Sequence, residues 1–183
     1  MRKKIKPEIW VMRVGHRLVR DDRVSTHIGL VARAFGATGM YIDNGDKEIK
    51  ESLDKVTRRW GGGFKVEIIN GWKKILHEWS DSGKIIVHLT MYGSSINQTI
   101  DTIRSHDEDI MVIVGGEKVP RPVYDISDYN LSIGNQPHSE IAALAVFLDR
   151  FYKGEELKGM FKQSKIWIVP NSKGKTVQIN NEN

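Results

Sequence analysis

The stretch from Ile110 to Tyr152 constrains the fold of this chain more than any other. It begins with an apolar segment, IMVIV, that runs into the glycine loop GGEKVP. A second apolar piece then meets the loop IGNQPHSE, which opens the helical sequence IAALAVFLDRFY. Loops of this kind, each at the end of an apolar segment, hold small ligands in open α/β proteins. The stretch therefore predicts a ligand site at one edge of a sheet.

Segments with strand and helix patterns alternate before that stretch. The strand-like segments are EIWVMRVGHR, GMYIDNG, FKVEIIN and KIIVHLTMYG, and the helical ones after the first helix are KEIKESLDKVTRRW, GWKKILHEWSDSG and SSINQTIDTIRSH. In the first strand, alternate residues are expected on opposite faces, with Ile9, Val11 and Arg13 on one and Trp10, Met12 and Val14 on the other. The alternation predicts an α/β fold with a mostly parallel sheet and helices on both faces.

The first helix is predicted over Thr26–Phe35, with Ser25 as its N-cap and Gly36 as its end. Its apolar face is predicted to carry Val24, Ile28, Val31 and Phe35, which recur at helical spacing. Arg33 lies two residues from both Val31 and Phe35, so its side chain is predicted to point away from that face. Spacing alone favours a surface arginine here.

The length of 183 residues suits a single domain spanning residues 1–183. After a short predicted strand, KIWIVP, the tail KGKTVQINNEN is polar and is predicted to be partly loose. The chain has no cysteine, which excludes disulfides, iron–sulfur clusters and cysteine–zinc sites. The opening MRKKIKPEIW lacks the apolar region of a signal peptide, and no stretch approaches the roughly 20 apolar residues of a transmembrane helix. A soluble, cytoplasmic protein is expected.

Positive charge is concentrated at the start of the chain. The first 33 residues contain nine Lys and Arg but only three acidic residues. Nine minus three gives this segment a net charge of +6, which exceeds the net charge of +5 for the whole chain. Such a face suits a polyanion such as RNA, although a solvated surface is the simpler alternative for scattered charge. Arg17, Arg20 and Arg23 are the candidates for RNA phosphates, because a guanidinium can bind phosphate through two hydrogen bonds.

Several familiar sites can be excluded by their patterns. Gly61–Gly63 follows a helix, so it lacks the strand-to-helix context of a dinucleotide-binding loop, and no P-loop sequence occurs. The six histidines show no H-E-x-x-H spacing, and each is interpreted as a satisfied polar contact rather than a metal ligand. No metal site is predicted.

Three loops remain, at the carboxyl ends of apolar strands: Leu89–Gly93, Gly115–Pro120 and Ile133–His138. The ligand crevice of an open α/β sheet lies outside those ends, and glycines let the backbone approach a ligand closely. Together they predict a pocket for a nucleotide-like ligand. An ordinary strand-end turn at Gly115-Gly116 is an equally good interpretation of the glycines alone.

These residues together resemble the SpoU-like branch of the SPOUT class of RNA methyltransferases. Its first motif resembles His27–Arg33, with the family's arginine falling on Arg33, and its second resembles Val112–Glu117. Its third resembles Ile133-Gly134 followed by Ser139 and a helix of small residues. The fuller pattern RVGHRLVRDDRVSTHIGLVARAFGA, VGGEKVP and IGNQPHSEIAALAVFLDRF is most similar to an archaeal family, the tRNA cytidine-56 2′-O-methyltransferases, over nearly the whole chain.

The chain also departs from the general SpoU-like pattern. His27 and Glu140 stand where asparagine is usual, and Ser139 is displaced by one position from the expected serine. The departures are shared with the archaeal family, so they do not weaken that closer resemblance.

The resemblance implies methylation of a tRNA ribose 2′-hydroxyl, with S-adenosyl-methionine as cofactor and cytidine 56 of the T-loop as the expected nucleotide. It implies a deep trefoil knot at about residues 84–153, an appendage at about 154–183, and a homodimer. The implied partners are tRNA and a second copy of the chain, without a membrane or a metal. Ala142, Ala143 and Ala145 would allow two helices to approach closely in a dimer, although an ordinary core helix is the alternative.

The resemblance also implies roles for single residues. Arg33 and Ser139 are the expected catalytic residues. Arg33 is hypothesised to hold an RNA phosphate and position the hydroxyl, since a guanidinium stays protonated and is a poor base. The expected contacts of the methyl donor are Leu89, Gly115, Gly116, Glu117, Lys118, Val119, Ile133, Gly134, Asn135, Gln136, Pro137, His138, Ser139 and Glu140.

Two other functions fit the sequence. One is a non-catalytic RNA-binding protein that uses the basic N-terminal face, and the other is a nucleotide-dependent enzyme of another reaction class. Binding of S-adenosyl-methionine separates the methyltransferase from both.

Overall fold

The computed structural model describes residues 7–15, 17, 21–116, 118–159 and 161–180, and the structural statements below concern these residues. The strands are β1 (Ile9–Val14), β2 (Gly39–Asp43), β3 (Lys65–Ile69), β4 (Ile85–Ser95), β5 (Ile110–Gly115), β6 (Tyr129–Ser132), β7 (Ile166–Val169) and β8 (Thr176–Ile179). The helices are α1 (Asp22–Ala34), α2 (Lys47–Trp60), α3 (Trp72–Asp81), α4 (Ile96–Arg104), α5 (Arg121–Ile126) and α6 (Glu140–Tyr152), followed by a 3-10 helix over Glu155–Lys158.

Six strands form one sheet in the order β3-β2-β1-β5-β4-β6, and every pair in it is parallel. The chain first builds outward from β1 to β3 and then crosses to β4, after which β5 enters between β1 and β4. The predicted α/β fold, with a mostly parallel sheet, is confirmed. Strand order reverses beside β1, which is where open α/β sheets bind their ligands.

Helices cover both faces of the sheet because the strands are apolar on both sides. One face of β1 carries Ile9 and Val11 into a core built with α1, α2, α4 and α6. The other carries Trp10, Met12 and Val14 into a core built with α3 and α5. The predicted alternation of β1 is confirmed, and the short helix α5 was not predicted.

The first helix differs from its prediction. It begins at Asp22, four residues before the predicted start, and follows Asp21, so Ser25 lies within the helix and is fully buried. Its buried face is formed by Ser25, Ile28, Gly29, Ala32 and Arg33, not by Val24, Val31 and Phe35, which are only partly buried. The prediction that Arg33 points away from the core was wrong: only 7% of Arg33 is exposed. The face is rotated because Gly29 packs against Leu53 of α2, where larger residues would not fit.

Strand β4 is irregular where it meets β6. Leu89 and Ser94 both pair with Leu131, so the four residues between them leave the ladder as a loop. A side chain at Gly93 would collide with the backbone of Asn130. The loop is therefore held against the end of β6, beside the carboxyl ends of the neighbouring strands.

The C-terminal segment forms an antiparallel hairpin of β7 and β8. The predicted strand KIWIVP is confirmed as β7, whereas the tail predicted to be partly loose contains β8, with every residue exposed. The hairpin is anchored on the end of α2, because Lys165 donates its backbone N–H to Arg59 and Gly62 donates to Lys162. Within the described part of the chain, no helix combines the length and apolar character needed to cross a membrane.

Candidate active site

A cleft of about 480 Å³ opens at the carboxyl ends of β1, β4, β5 and β6. The three loops predicted to form a pocket meet in it. Leu89, Val114, Val119 and Ile133 supply apolar walls from these strands and loops. The volume lies within the range of about 300–1,000 Å³ that is usual for small-molecule sites.

The cleft contains only part of the residue set expected to bind a methyl donor. Its lining includes Leu89, Gly115, Gly116, Val119, Ile133, Pro137, His138 and Glu140. It does not include Lys118, Gly134, Asn135, Gln136 or Ser139, and Glu117 lies outside the described residues. Contacts between these six residues and the methyl donor remain predictions.

Asn135 in the third loop and Ser139 directly after it hold the site together instead of lining it. Asn135 donates through Nδ2 to the carbonyl of Met91 at 2.6 Å, which joins the third loop to the first. Ser139, expected to be catalytic, is the N-cap of α6 and its Oγ accepts from the N–H of Ala142 at 3.2 Å. A capping role explains a serine at this position by itself.

The glycines of the second loop have a steric function. A side chain at Gly115 would collide with Val119, so glycine lets the loop fold back over the end of β5. Gly116 faces the guanidinium of Arg13, with Nη2 3.8 Å from the place of a Cβ. The loop is therefore more than an ordinary strand-end turn, because its backbone forms part of the cleft wall.

Arg13, a residue without a predicted role in the site, lies at the centre of its charges. Its side chain is 2% exposed, and Nη2 lies 3.4 Å from Oε1 of Glu140 and 3.8 Å from Oδ2 of Asp21. Nη1 also donates to the carbonyl of Val14 at 3.0 Å. Burial lowers the pKa of Arg13, and Glu140 and Asp21 oppose that shift. The glutamate that replaces the usual asparagine therefore balances a buried cation.

Asp21 connects this cation to the start of α1. Burial opposes ionisation of Asp21, but hydrogen bonds from Arg17 outweigh it and lower the pKa of its carboxyl group. Arg17 donates to Asp21 from its backbone N–H at 3.0 Å and from Nε at 3.2 Å. The Arg17 side chain is half exposed at the rim of the cleft. Arg23 is exposed on the first turn of α1, and Arg20 lies outside the described residues.

Arg33 lies elsewhere. It does not line the cleft, and Nη2 donates to the carbonyl of Gly61 at 2.7 Å. Its guanidinium stacks 4.5 Å from the ring centroid of Phe161 in the C-terminal segment. Burial lowers the pKa of Arg33. Within one chain, Arg33 is therefore separated from the expected donor pocket. Its contacts connect α1 with the end of α2 and with the C-terminal segment.

The cleft lining also includes three polar side chains, those of His88, Thr90 and Tyr124. No sequence pattern singled these residues out, nor Arg13 and Asp21. The available signal was placement alone, since His88 and Thr90 flank the predicted wall residue Leu89, and Arg13 follows Ile9 and Val11 on one predicted face of the first strand. Among the described residues, no group of His, Asp and Glu is arranged to hold a metal ion.

Comparison with known proteins identifies relatives over nearly the whole chain. A sequence-family model described as "tRNA ribose 2′-O-methyltransferase, aTrm56" matches residues 60–178. A tRNA (cytidine(56)-2′-O)-methyltransferase of Methanopyrus kandleri is 48% identical over 95% of this chain and 98% of its own length. One of the same name from Thermococcus kodakarensis is 52% identical over 92% of this chain and 96% of its own.

Solved structures of lower identity share the fold. The TrmH/SpoU tRNA modifying enzyme of A. aeolicus superposes with a TM-score of 0.56 at 16% identity, covering 86% of this chain and 79% of that one. The SpoU methyltransferase AviRb of Streptomyces viridochromogenes, solved with AdoMet, has a TM-score of 0.56 at 12% identity over 83% of this chain. This chain spans 60% of the AviRb chain.

The predicted family, enzyme class and reaction are confirmed by these relatives. The two relatives match 95% and 92% of this chain at 48% and 52% identity. The chain belongs to the aTrm56 family of tRNA ribose 2′-O-methyltransferases.

Proposed function

We propose that this chain transfers a methyl group from S-adenosyl-methionine to the ribose 2′-hydroxyl of cytidine 56 in tRNA. The observation that carries the proposal is the convergence of the loops after β4, β5 and β6 on one cleft of about 480 Å³. The curated relatives named for this reaction support it, since about half of their residues are shared with this chain.

The cleft fits the methyl donor in shape and chemistry. Apolar walls from Leu89, Val114 and Val119 suit a flat base, and the glycine at 115 lets the backbone fold close to it. The SpoU methyltransferase solved with AdoMet shares the fold. The donor supplies an activated methyl group on a sulfonium, so the protein's residues have to align the acceptor hydroxyl and exclude water.

Arg17 and Arg23 are assigned to the phosphates of the tRNA. Arg17 lines the rim of the cleft, and Arg23 is exposed in the first turn of α1. Arg20 belongs to the same basic run in the sequence. Neutralising one phosphate-binding arginine should make the fall of log affinity with log salt less steep by about 0.7–0.9. An unchanged slope in both Arg17→Gln and Arg23→Gln would place the tRNA elsewhere.

The predicted role of Arg33 requires a second chain. Because Arg33 does not line its own cleft, it could hold an RNA phosphate at a reaction centre only if a homodimer brings it to the partner's cleft. Arg33→Lys keeps the charge and removes the guanidinium fork. Loss of turnover with unchanged thermal stability would support the catalytic role. Intact turnover with a loosened C-terminal segment would restrict Arg33 to the contacts with Gly61 and Phe161.

A homodimer and a trefoil knot belong to the same proposal. Ala142 and Val146 are exposed one turn apart on α6, which offers a small apolar stripe to a second copy. Light scattering at micromolar concentration would give twice the chain mass for a dimer. The knot is inferred for about residues 84–153. The hairpin of β7 and β8 is then an appendage to a single domain. A cytoplasmic location is part of the same proposal, because the proposed substrate is tRNA.

Calorimetric titration with S-adenosyl-methionine tests the donor assignment. The methyltransferase should bind it in the absence of RNA, in one site per chain. A non-catalytic RNA-binding protein would release no heat of binding, and an enzyme of another reaction class would prefer a different nucleotide. Either result would overturn the proposal.

A further inference from the structure

His88 combines complete burial with an unused hydrogen-bonding atom. It lies on β4, and none of its surface is exposed to solvent. Its Nε2 has no hydrogen-bond partner among the residues that the structure describes, although His88 lines the cleft. A buried polar atom without a partner costs free energy, so its presence in a native protein calls for an explanation.

The neighbours of His88 define the state of its ring. Asn130 donates through Nδ2 to the carbonyl of Tyr124 at 2.9 Å, which orients the amide and leaves Oδ1 toward His88 at 2.9 Å from Nδ1. An amide oxygen can only accept, so Nδ1 of His88 carries the proton. Burial lowers the pKa of His88, although the contact with Asn130 opposes that shift, and the ring is neutral at physiological pH. Nε2 is therefore a bare acceptor.

The surroundings restrict what can bind there. Tyr124 packs edge-on to the imidazole with 4.6 Å between ring centroids, and its hydroxyl lies 3.1 Å from Oγ1 of Thr90. The neighbouring walls, Leu89 and Val119, are apolar. A flat, largely apolar ring with one N–H donor at its edge matches this environment, whereas hydroxyl and ammonium groups favour the wetter mouth of the cleft.

We propose that Nε2 of His88 accepts a hydrogen bond from the exocyclic amino group of the methyl donor's adenine and makes His88 a specificity-determining residue. The inference rests on the proposed binding of S-adenosyl-methionine in this cleft. The exocyclic amine at C6 of adenine is a hydrogen-bond donor. A 6-oxo purine has a carbonyl oxygen at the same position, and that oxygen can only accept. Tyr124, whose hydroxyl contacts Thr90, lies edge-on to the imidazole beside the place proposed for the base.

The test compares S-adenosyl-L-homocysteine with S-inosyl-L-homocysteine, its 6-oxo counterpart, by calorimetry on the full chain. The discrimination ratio is the affinity for the adenosyl compound divided by that for the inosyl compound. Pairing a buried acceptor with the amine is expected to contribute about five- to 150-fold to this ratio in the wild-type protein.

Two substitutions separate the two nitrogens of the ring. Asn at position 88 can keep a donor near Nδ1 and the contact with Asn130, but it has nothing at the place of Nε2. Gln can place its amide oxygen near Nε2 while losing the Nδ1 contact. His88→Asn is therefore expected to lower the ratio at least about fivefold, and His88→Gln to retain most of it. The matched control is His77→Asn, at an exposed position of α3, which should leave the ratio unchanged.

A purely structural His88 gives the opposite pattern. His88→Gln would then lower the melting temperature, and His88→Asn would keep the wild-type ratio, which would overturn the proposal. If the wild-type protein bound neither compound, the donor assignment would fail and this inference with it. If the wild-type bound the adenosyl compound and the ratio did not depend on residue 88, only this inference would fail.

A measurement on the wild-type protein removes any dependence on the folding of variants. The ¹⁵N resonance of Nε2 in His88 reports whether this acceptor is bonded. S-adenosyl-L-homocysteine should shift it in the direction of a hydrogen-bonded imidazole nitrogen, and S-inosyl-L-homocysteine should not. Equal shifts with both compounds, or none with either bound, would contradict the proposed contact.

Discussion

Arg13 carries a full charge into the interior of the protein, and two carboxylates from distant parts of the chain accompany it. It is among the largest fully buried side chains, with Glu140 at 3.4 Å and Asp21 at 3.8 Å from Nη2. A buried cation without its anionic partners lowers the stability of the fold, and buried carboxylates without their cation do the same. The start of α1, the start of α6 and the end of β1 are therefore coupled through one side chain.

Arg13→Met keeps most of the side-chain volume and leaves Glu140 and Asp21 without their buried partner. The expected loss is about 3–5 kcal/mol in the free energy of unfolding, measured by urea denaturation. Arg17→Met is the control, because Arg17 is half exposed and pairs with the same Asp21, so it should cost less than about 1 kcal/mol. Similar, small losses for both variants would show that the buried pairs do not stabilise the fold.

The sequence predicted the position of Arg13 but not its partners. Alternation placed it in the same series as Ile9 and Val11, and the structure confirms that series. Asp21 and Glu140 come from two other elements, and no local pattern connects them to β1. For Arg33, local spacing predicted a surface position. Contacts with Gly61 and Phe161, which are distant in the sequence, bury it instead.

Helix α6 begins at the cleft, and Ser139 determines where it begins. Ser139→Ala removes the acceptor for the N–H of Ala142 and should cost about 1 kcal/mol of stability, measured by thermal unfolding. Ser139→Asp restores a capping oxygen and should recover that stability. If Ser139 only caps the helix, Ser139→Asp should also retain turnover. Turnover lost in a well-folded Ser139→Asp variant would instead support the catalytic role implied by the resemblance.

The 3-10 helix that follows α6 contains a carboxyl group, that of Glu156, which favours its protonated form. Burial, followed by the nearby Asp149, raises the pKa of Glu156 above its ordinary value of 4.5. The folded state then binds this proton more tightly than the unfolded state, so the contribution to stability is present at acid pH. It declines as the pH rises from about 4.5 through the raised pKa of the folded state.

Glu156→Gln should therefore raise the melting temperature at pH 7, by about 2–4 °C for each kcal/mol recovered. The gain should shrink toward pH 4, where the wild-type carboxyl group is also neutral. Glu51→Gln on the exposed face of α2 is the control and should show no such trend. A gain that stayed constant between pH 4 and pH 7 would contradict the raised pKa.

The protein as a whole consists of the parallel sheet and a hairpin anchored at one corner. The sheet class was predictable from alternating patterns, because apolar strands and amphipathic helices are local features. The order β3-β2-β1-β5-β4-β6 was not, since pairing between distant strands leaves no local trace. Likewise, Gly61–Gly63 was excluded as a nucleotide loop, but its actual use is to receive the C-terminal segment.

The anchoring can be loosened without touching the sheet. Phe161→Ala removes the ring that stacks on Arg33 and packs against Gly62, so amide exchange in β7 and β8 should accelerate while β1 and β5 remain protected. Leu157→Ala is the control, because this neighbouring residue is 64% exposed. Unchanged exchange in β7 and β8 would show that Phe161 does not hold the hairpin in place.

The proposed reaction can be measured directly as methyl transfer to a defined nucleotide. Unmodified tRNA is incubated with the protein and S-adenosyl-methionine labelled in the methyl group, beside the same tRNA carrying dC56, and the labelled nucleotide is mapped. We expect one label per tRNA, on the ribose of cytidine 56, and none on the tRNA with dC56. Label on a base, on another nucleotide, or on the tRNA with dC56 would contradict the proposed reaction.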